Sequence, residues 1–149
     1  MTDKIIQKIN TVIISRTDSI GDVVLTLPVA HSLKENFPDC KIVFLGTSYT
    51  KPVLACCTNV DEIVCWDEIV HCDKGKKIDF LRFLRADCII HVYPNKQVAA
   101  LAKNAGIPIR IGTSHRIFHW FTCNKLPNFT RKNSELHEAQ LNFKLLEPL

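Results

Sequence analysis

At 149 residues, with 46% hydrophobic and 23% charged side chains, the chain has the length and composition of one folded domain rather than of two domains or a disordered segment. Its net charge is +4, and no apolar run approaches the ~18 residues a membrane span requires. The opening Met1-Thr2-Asp3-Lys4 lacks the charged-then-apolar build of a secretion signal, so the expected location is cytoplasmic.

Residues 11–15 (Thr-Val-Ile-Ile-Ser) are a short apolar, β-branched run and predict a first strand. Behind a polar loop and Gly21, the residues Val23, Val24, Leu27, Ala30, Leu33 and Phe37 recur at helical spacing, with Pro28 either near a helix start capped by Thr26 or at a kink. Residues 41–45 predict a second strand closed by Gly46, and residues 50–57 a short helix with Pro52 in its first turn. The alternation over 61–66 predicts a third strand, and the clustering of Ile78, Leu81 and Leu84 a helix over 73–85. A fourth strand over 87–92 ends at the turn signal Tyr93-Pro94-Asn95, and an Ala-rich helix over 96–104 is terminated by Gly106. A fifth strand over 107–112 and a closing helix over 134–146, with Ser134 as N-cap, complete the series. Between these last two lies an irregular or locally helical segment, 113–132, carrying Phe118, Trp120, Phe121 and Phe129; connections of such length are uncommon unless they have a function. Strands alternating with helices predict βαβ units and a parallel α/β sheet.

The charge is unevenly placed. Residues 88–134 contain no Asp or Glu, but they carry Lys96, Lys103, Arg110, Arg116, Lys125, Arg131 and Lys132. The other twelve Lys and Arg share the remaining chain with all fifteen acids, so one face of the domain is expected to meet an anionic partner. Base stacking on Trp120 and Phe121 would suit a nucleic acid, but no nucleic-acid motif is present and +4 is modest, so none is expected as partner. Seven cysteines (40, 56, 57, 65, 72, 88 and 123) form no Cys-x-x-Cys pair. A zinc site from Cys65, His71 and Cys72 lacks the tighter ligand pairs usual for tetrahedral zinc, which leaves reduced, structural thiols as the better reading.

The chemistry on offer is narrow. Neither Gly-x-Gly-x-x-Gly nor Gly-x-x-x-x-Gly-Lys-Ser/Thr is present, so the usual phosphate cradles are missing; Gly-x-Ser-x-Gly is absent too. Without any Asp-x-Asp, a paired-carboxylate metal site for a sugar diphosphate is not expected, nor is any cofactor. What remains is Asp22, beside Gly21 at the start of a helix. From spacing alone it is either a helix-capping carboxylate or a general base delivered to the edge where open α/β sheets bind their ligands.

The run Arg16-x-Asp18-x-Ile20-Gly21-Asp22-Val23, with Thr26 and Pro28 behind it, resembles the amino-terminal signature of family 9 glycosyltransferases, the heptosyltransferases of the lipopolysaccharide inner core. The resemblance implies a Rossmann-like open parallel sheet with helices on both faces, forming the N-terminal, acceptor-binding half of a GT-B fold over residues 1–149. It implies that the donor-binding C-terminal domain is absent from this chain, which alone would transfer little sugar. It casts Asp22 as the catalytic base of an inverting, metal-independent transfer from a nucleotide sugar. Arg16, with Ser19 and Gly21, would hold the anionic acceptor; Lys96, Arg131 and His137 match the family by position only, and His137 reads equally as an exposed helix residue. Implied partners are an acceptor of the lipid A or inner-core type, an ADP-heptose-like donor and, peripherally, the inner face of the inner membrane. The alternative is a free-standing, non-catalytic α/β module that binds phosphorylated sugars or nucleotides.

Overall fold

The first strand, β1 (Thr11–Ser15), lies at the middle of a five-stranded sheet in a computed structural model that describes residues 8–149. Met1–Lys4, which on sequence lacks the build of a secretion signal, lies outside the described residues. After β1 come two helices, α1 (Ile20–Val24) and α2 (Leu27–Asn36), then β2 (Lys41–Gly46), α3 (Lys51–Leu54), β3 (Glu62–Cys65), α4 (Trp66–Ile69) and α5 (Lys74–Phe83). The second half runs β4 (Cys88–His91), α6 (Lys96–Asn104), β5 (Ile109–Ile111), α7 (Ile117–Thr122) and α8 (Glu138–Lys144). All strand pairs are parallel and the order is β3-β2-β1-β4-β5. The chain therefore reverses its direction of strand addition between β1 and β4, the point at which such sheets open a crevice beyond their carboxyl ends.

Both faces of the sheet are covered, because successive side chains of a strand point to opposite sides. Val12, Ile14, Ile42, Phe44 and Ile90 pack with Val29 and Leu33 of α2 and with Leu145 beyond α8. Ile13, Val43, Leu45 and Ile89 pack with Leu81 of α5 and Val98 and Leu101 of α6. Helices on both faces are what the parallel alternation implied.

Local differences from the sequence expectations have physical causes. The helix behind Gly21 is broken in two, and Pro28 sits in the first turn of the second piece. Thr26 does not cap that turn with its side chain: its Oγ1 donates back to Asp22 O at 2.8 Å. The third strand is shorter than 61–66 because Trp66 opens α4, a turn of helix that periodicity did not reveal. The fifth strand begins only after Pro108, which cannot donate to a ladder. Ser134 is not the N-cap of the last helix. It accepts from Leu136 N in a local turn, and the helix starts three residues later in a capping box formed by His137 and Gln140. Gly106 ends α6 at φ +76°, the left-handed conformation that glycine adopts without cost.

The segment 113–132 has a definite course. After α7 it returns beside β5, where Asn124 accepts from Arg110 N at 2.8 Å and donates to Pro108 O at 2.6 Å, and Lys125 makes a single parallel bridge to Ile111. This covers the free edge of β5. All seven cysteines carry free thiols; burial pushes Cys88 far up and Cys123 up to about 11, which removes their thiolate reactivity.

Candidate active site at the sheet switch point

Where β1 ends, its carbonyl groups and those of its neighbours hold the diverging loops together. Arg16 N donates to Leu45 O at 3.0 Å, while Val92 N and Tyr93 N both donate to Ser15 O, at 3.0 and 3.1 Å. Above this point opens a cleft of about 670 Å³. It is walled by Asp18 from the loop after β1, Asp22 from α1, and Tyr93 and Pro94 from the loop after β4. His115, Arg116, Arg131 and Lys132 come from the acid-free stretch, with Glu138 behind them.

Asp22 reaches the cleft because Ser19 fixes the start of α1. Ser19 is extended (φ −70°, ψ 155°), and its hydroxyl accepts weakly from Asp22 N at 3.4 Å and donates to Asp22 Oδ2 at 2.5 Å. The other carboxylate oxygen lies 3.3 Å from Arg16 Nη2. The Ser19 hydrogen bond, and behind it the Arg16 charge, holds the Asp22 carboxyl below the usual range. The side chain stays 38% exposed, open to a ligand and ionised at neutral pH. Gly21 has no tight contact to explain it: a Cβ there would meet nothing within 4 Å.

Arg16 takes a different place from the one the motif suggests. Its side chain is only 5% exposed, and each guanidinium nitrogen is engaged within the protein. Nε and Nη2 donate to the two oxygens of Asp18 at 2.9 and 3.1 Å. Nη1 donates to Glu138 Oε1 at 3.1 Å, with Asn142 Oδ1 at 3.4 Å and Thr26 Oγ1 at 3.5 Å. Such a guanidinium has no donor to spare for an acceptor phosphate; it orients Asp22 and ties the first loop to α8. Burial raises the Asp18 carboxyl, opposed by Arg16. Two carboxylates four residues apart are thus driven in opposite directions, as in sites that assign them different tasks.

Of the remaining candidates, Arg131 lies in the cleft wall. It donates to Glu138 and, at 3.2 Å, to Val92 O, and its guanidinium carbon stands 5.7 Å from the centre of the Phe129 ring. Lys96, the first residue of α6, and His137 do not line the cleft. The loop after β4 is instead anchored by Asn95, which caps α6 and donates to Thr17 Oγ1 at 3.4 Å. His137 accepts from Ala139 N at 3.2 Å and serves as a helix cap. The cleft brings in Arg116, Lys132 and His115, which the motif did not single out although the acid-free stretch contained them. Glu138 carried no sequence signal at all; its role exists only because α8 folds back 122 residues later onto Arg16.

The strand tips carry a second polar group, buried and apart from the cleft lining. Ser15 and His91 are cross-strand partners, and the His91 ring stands 5.6 Å from that of His119 on α7. His119 Nδ1 is bonded to Thr113 O at 3.0 Å, and a Cβ on Gly112 would meet that nitrogen at 2.5 Å, so only glycine admits this ring. Neither nitrogen of His91 has a hydrogen-bond partner among the described residues. Burial pushes His91 down to about 3, and His119 down as well. With folded values below the unfolded 6.5, these rings stay neutral while the unfolded chain takes up protons, so stability is fully present above pH 6.5 and falls toward acid. Urea unfolding between pH 7 and 4.5 is expected to lose up to about 1.4 kcal/mol per pH unit for each such ring. His91→Gln should flatten that slope by one proton's worth; an unchanged slope would refute the assignment.

The cap makes a separate prediction. Ser19→Ala removes both of the Ser19 hydroxyl bonds and should let the Asp22 carboxyl return upward toward its ordinary value, followed by carboxyl-carbon NMR. It should also cost about 0.5–2 kcal/mol of stability. A titration unchanged from the parent would show that the hydroxyl does not tune Asp22.

With this geometry in place, comparison with known proteins is informative. No protein-family profile matches the chain. A Haemophilus influenzae protein provisionally named a glycosyltransferase is 26% identical over 137 residues, covering 88% of this chain and 38% of its own length. Among solved structures, the glycosyl transferase family 9 protein of Veillonella parvula superposes with a TM-score of 0.73 at 23% identity, over 94% of this chain and 41% of that one. The Escherichia coli heptosyltransferase WaaC, solved with ADP, gives 0.70 at 17% identity over 91% and 46%. The E. coli ADP-heptose lps heptosyltransferase II gives 0.72 at 20% identity over 91% and 39%. The chain therefore has the Rossmann-like fold of part of these GT-B enzymes, and it spans about two-fifths of the length of the relatives it matches.

Proposed function

We propose that this chain is the acceptor-binding, N-terminal half of a family 9-type glycosyltransferase, with Asp22 as the general base. In that reading Asp22 takes the proton of an acceptor hydroxyl as its oxygen attacks the anomeric carbon of a nucleotide sugar, and the bond to the diphosphate breaks with inversion. The observation that carries the reading is the Asp22 carboxylate, ionised and open to solvent at the wall of a cleft at the sheet switch point, held by Ser19 and Arg16. Because its basicity is depressed, proton transfer must come late, when attack is well advanced and the hydroxyl has become acidic.

Arg116, Arg131 and Lys132 supply positive charge in the cleft wall. They suit an acceptor bearing phosphates and sugar-acid carboxylates, such as a lipid A-type saccharide with 3-deoxy-manno-octulosonic acid. The sequence offers no Asp-x-Asp pair, and we place the reaction among metal-independent transfers. E. coli WaaC was solved with ADP and with ADP-2-deoxy-2-fluoro heptose, which favours an ADP-heptose-like donor, bound by the other half of the enzyme. A lipid-linked acceptor would place the protein at the cytoplasmic face of the inner membrane.

The same basic-walled cleft also suits a second reading, a free-standing module that binds phosphorylated sugars or nucleotides without catalysis. Assay of the full natural polypeptide with ADP-heptose and a phosphorylated core saccharide separates the two. Glycosidic product that vanishes in Asp22→Asn supports the transferase; saccharide binding without product in either form supports the module.

A further inference from the structure

An exposed apolar face lies outside the cleft lining. On α7 the side chains of Ile117, Trp120 and Phe121 are 68%, 59% and 69% exposed. Their spacing of three and four residues places them on one face of the helix, while His119 is buried on the other and α7 packs along α6. Trp120 Nε1 donates to Ser114 O at 2.6 Å, which fixes the indole in place, yet most of the surface of all three side chains stays uncovered among the described residues.

The surroundings of this face are basic. Arg116 directly precedes α7, Lys125 follows it, and Lys103 of α6 donates to Phe121 O at 2.7 Å, at the end of the helix. No acid occurs in the chain from 88 to 134, which includes the whole of α6, β5 and α7. The segment that carries the patch is continuous with the cleft: His115 and Arg116 line the cleft and the next residue begins α7.

We propose that α7 is a membrane-docking element. Ile117, Trp120 and Phe121 enter the headgroup–acyl boundary of an anionic bilayer, and Lys103 and Lys125 lie against its phosphates. A convex, aromatic-tipped projection ringed by bases matches a soft anionic surface, into which side chains can sink without a preformed complementary pocket. In that orientation the mouth of the cleft, one residue away along the chain, sits beside the bilayer, where the saccharide of a lipid-linked molecule emerges. The inference rests on the preceding reading for the nature of that lipid-linked acceptor, but the surface is tested with plain phospholipid, so failure of either is distinguishable.

The test is flotation of the purified protein with vesicles of phosphatidylglycerol and phosphatidylcholine, and with phosphatidylcholine alone, at low and high salt, together with Trp120 fluorescence. Binding to the anionic vesicles, weakened by salt, with a blue-shifted emission lost in Trp120→Phe, is expected. Ile117→Ser/Phe121→Ser should reduce the partition by roughly tenfold or more with an unchanged far-ultraviolet spectrum. Lys103→Glu/Lys125→Glu should do the same through charge, and Asp22→Asn should leave it intact. No binding to anionic vesicles, or binding indifferent to the α7 substitutions, overturns the proposal. So does concentration-dependent self-association that the α7 substitutions abolish without any vesicle binding, which would assign the patch to a second copy.

Discussion

Replacing Asp22 with Asn is expected to lower sugar transfer by roughly 10²–10⁴-fold in the full natural polypeptide, the range over which a positioned general base contributes. The substitution keeps the shape of the side chain and its bond to the Ser19 hydroxyl, but it removes the lone-pair basicity and the charge that faces Arg16 Nη2 at 3.3 Å. Since the side chain is 38% exposed at the cleft wall, unfolding should change by less than 1 kcal/mol. Asp18→Asn supplies the contrast. Asp18 also lines the cleft, and its raised carboxyl would make it the stronger base, yet both its oxygens are taken by Arg16 at 2.9 and 3.1 Å. Loss of transfer should therefore be accompanied by a marked loss of stability for Asp18, and by a change of less than about 1 kcal/mol for Asp22. Steady-state kinetics beside urea unfolding reads both.

The second large effect belongs to Arg16. Its guanidinium is buried among Asp18, Glu138, Asn142 and Thr26, so Arg16→Met leaves a partly buried Asp18 carboxylate without its partner. Removing one member of such a group costs about 3–5 kcal/mol. Glu138 retains Arg131 and suffers less. The variant drives the Asp18 carboxyl, already raised, further upward. A carboxyl whose folded value lies above the unfolded 3.8 contributes most favourably below that value and loses the contribution as pH rises through the folded one. Denaturant unfolding should accordingly show a larger deficit at pH 8 than at pH 4.5. A uniform deficit would mean that Asp18 finds another partner. Arg16→Lys does not restore the parent, because an ammonium cannot donate in parallel to both Asp18 oxygens while reaching Glu138.

The sheet was legible because its strands are short apolar runs separated by helices, a pattern that admits little besides parallel pairing. β1 and α6 have the bounds that β-branching, Asn95 and Gly106 suggest. The last helix was misplaced at its start because Ser134 is a good capping residue in isolation, while the capping box of His137 and Gln140 forms only once the preceding turn is built. In the site, Asp22 and its cap Ser19 are three residues apart, and such local chemistry is visible in a string of letters. The destiny of Arg16 was not. A motif places it at a strand tip, but only the return of α8, with Glu138 and Asn142, converts a free-looking cation into a buried one. Lys96 does not line the cleft, and Asn95 is the residue that ties the loop after β4 to the first loop.

In the proposed reaction the cleft beside Asp22 receives an anionic saccharide with a hydroxyl turned toward that carboxylate. The most direct measurement is an NMR titration of the protein with a soluble phosphorylated saccharide bearing 3-deoxy-manno-octulosonic acid, following backbone amides and the Asp22 carboxyl carbon. Saturable shifts at Asp22, Arg116, Arg131 and Lys132, lost when Arg116 and Lys132 are replaced by Ala, are predicted. Shifts confined to residues outside the cleft, with the Asp22 carboxyl unmoved at saturation, would contradict the account.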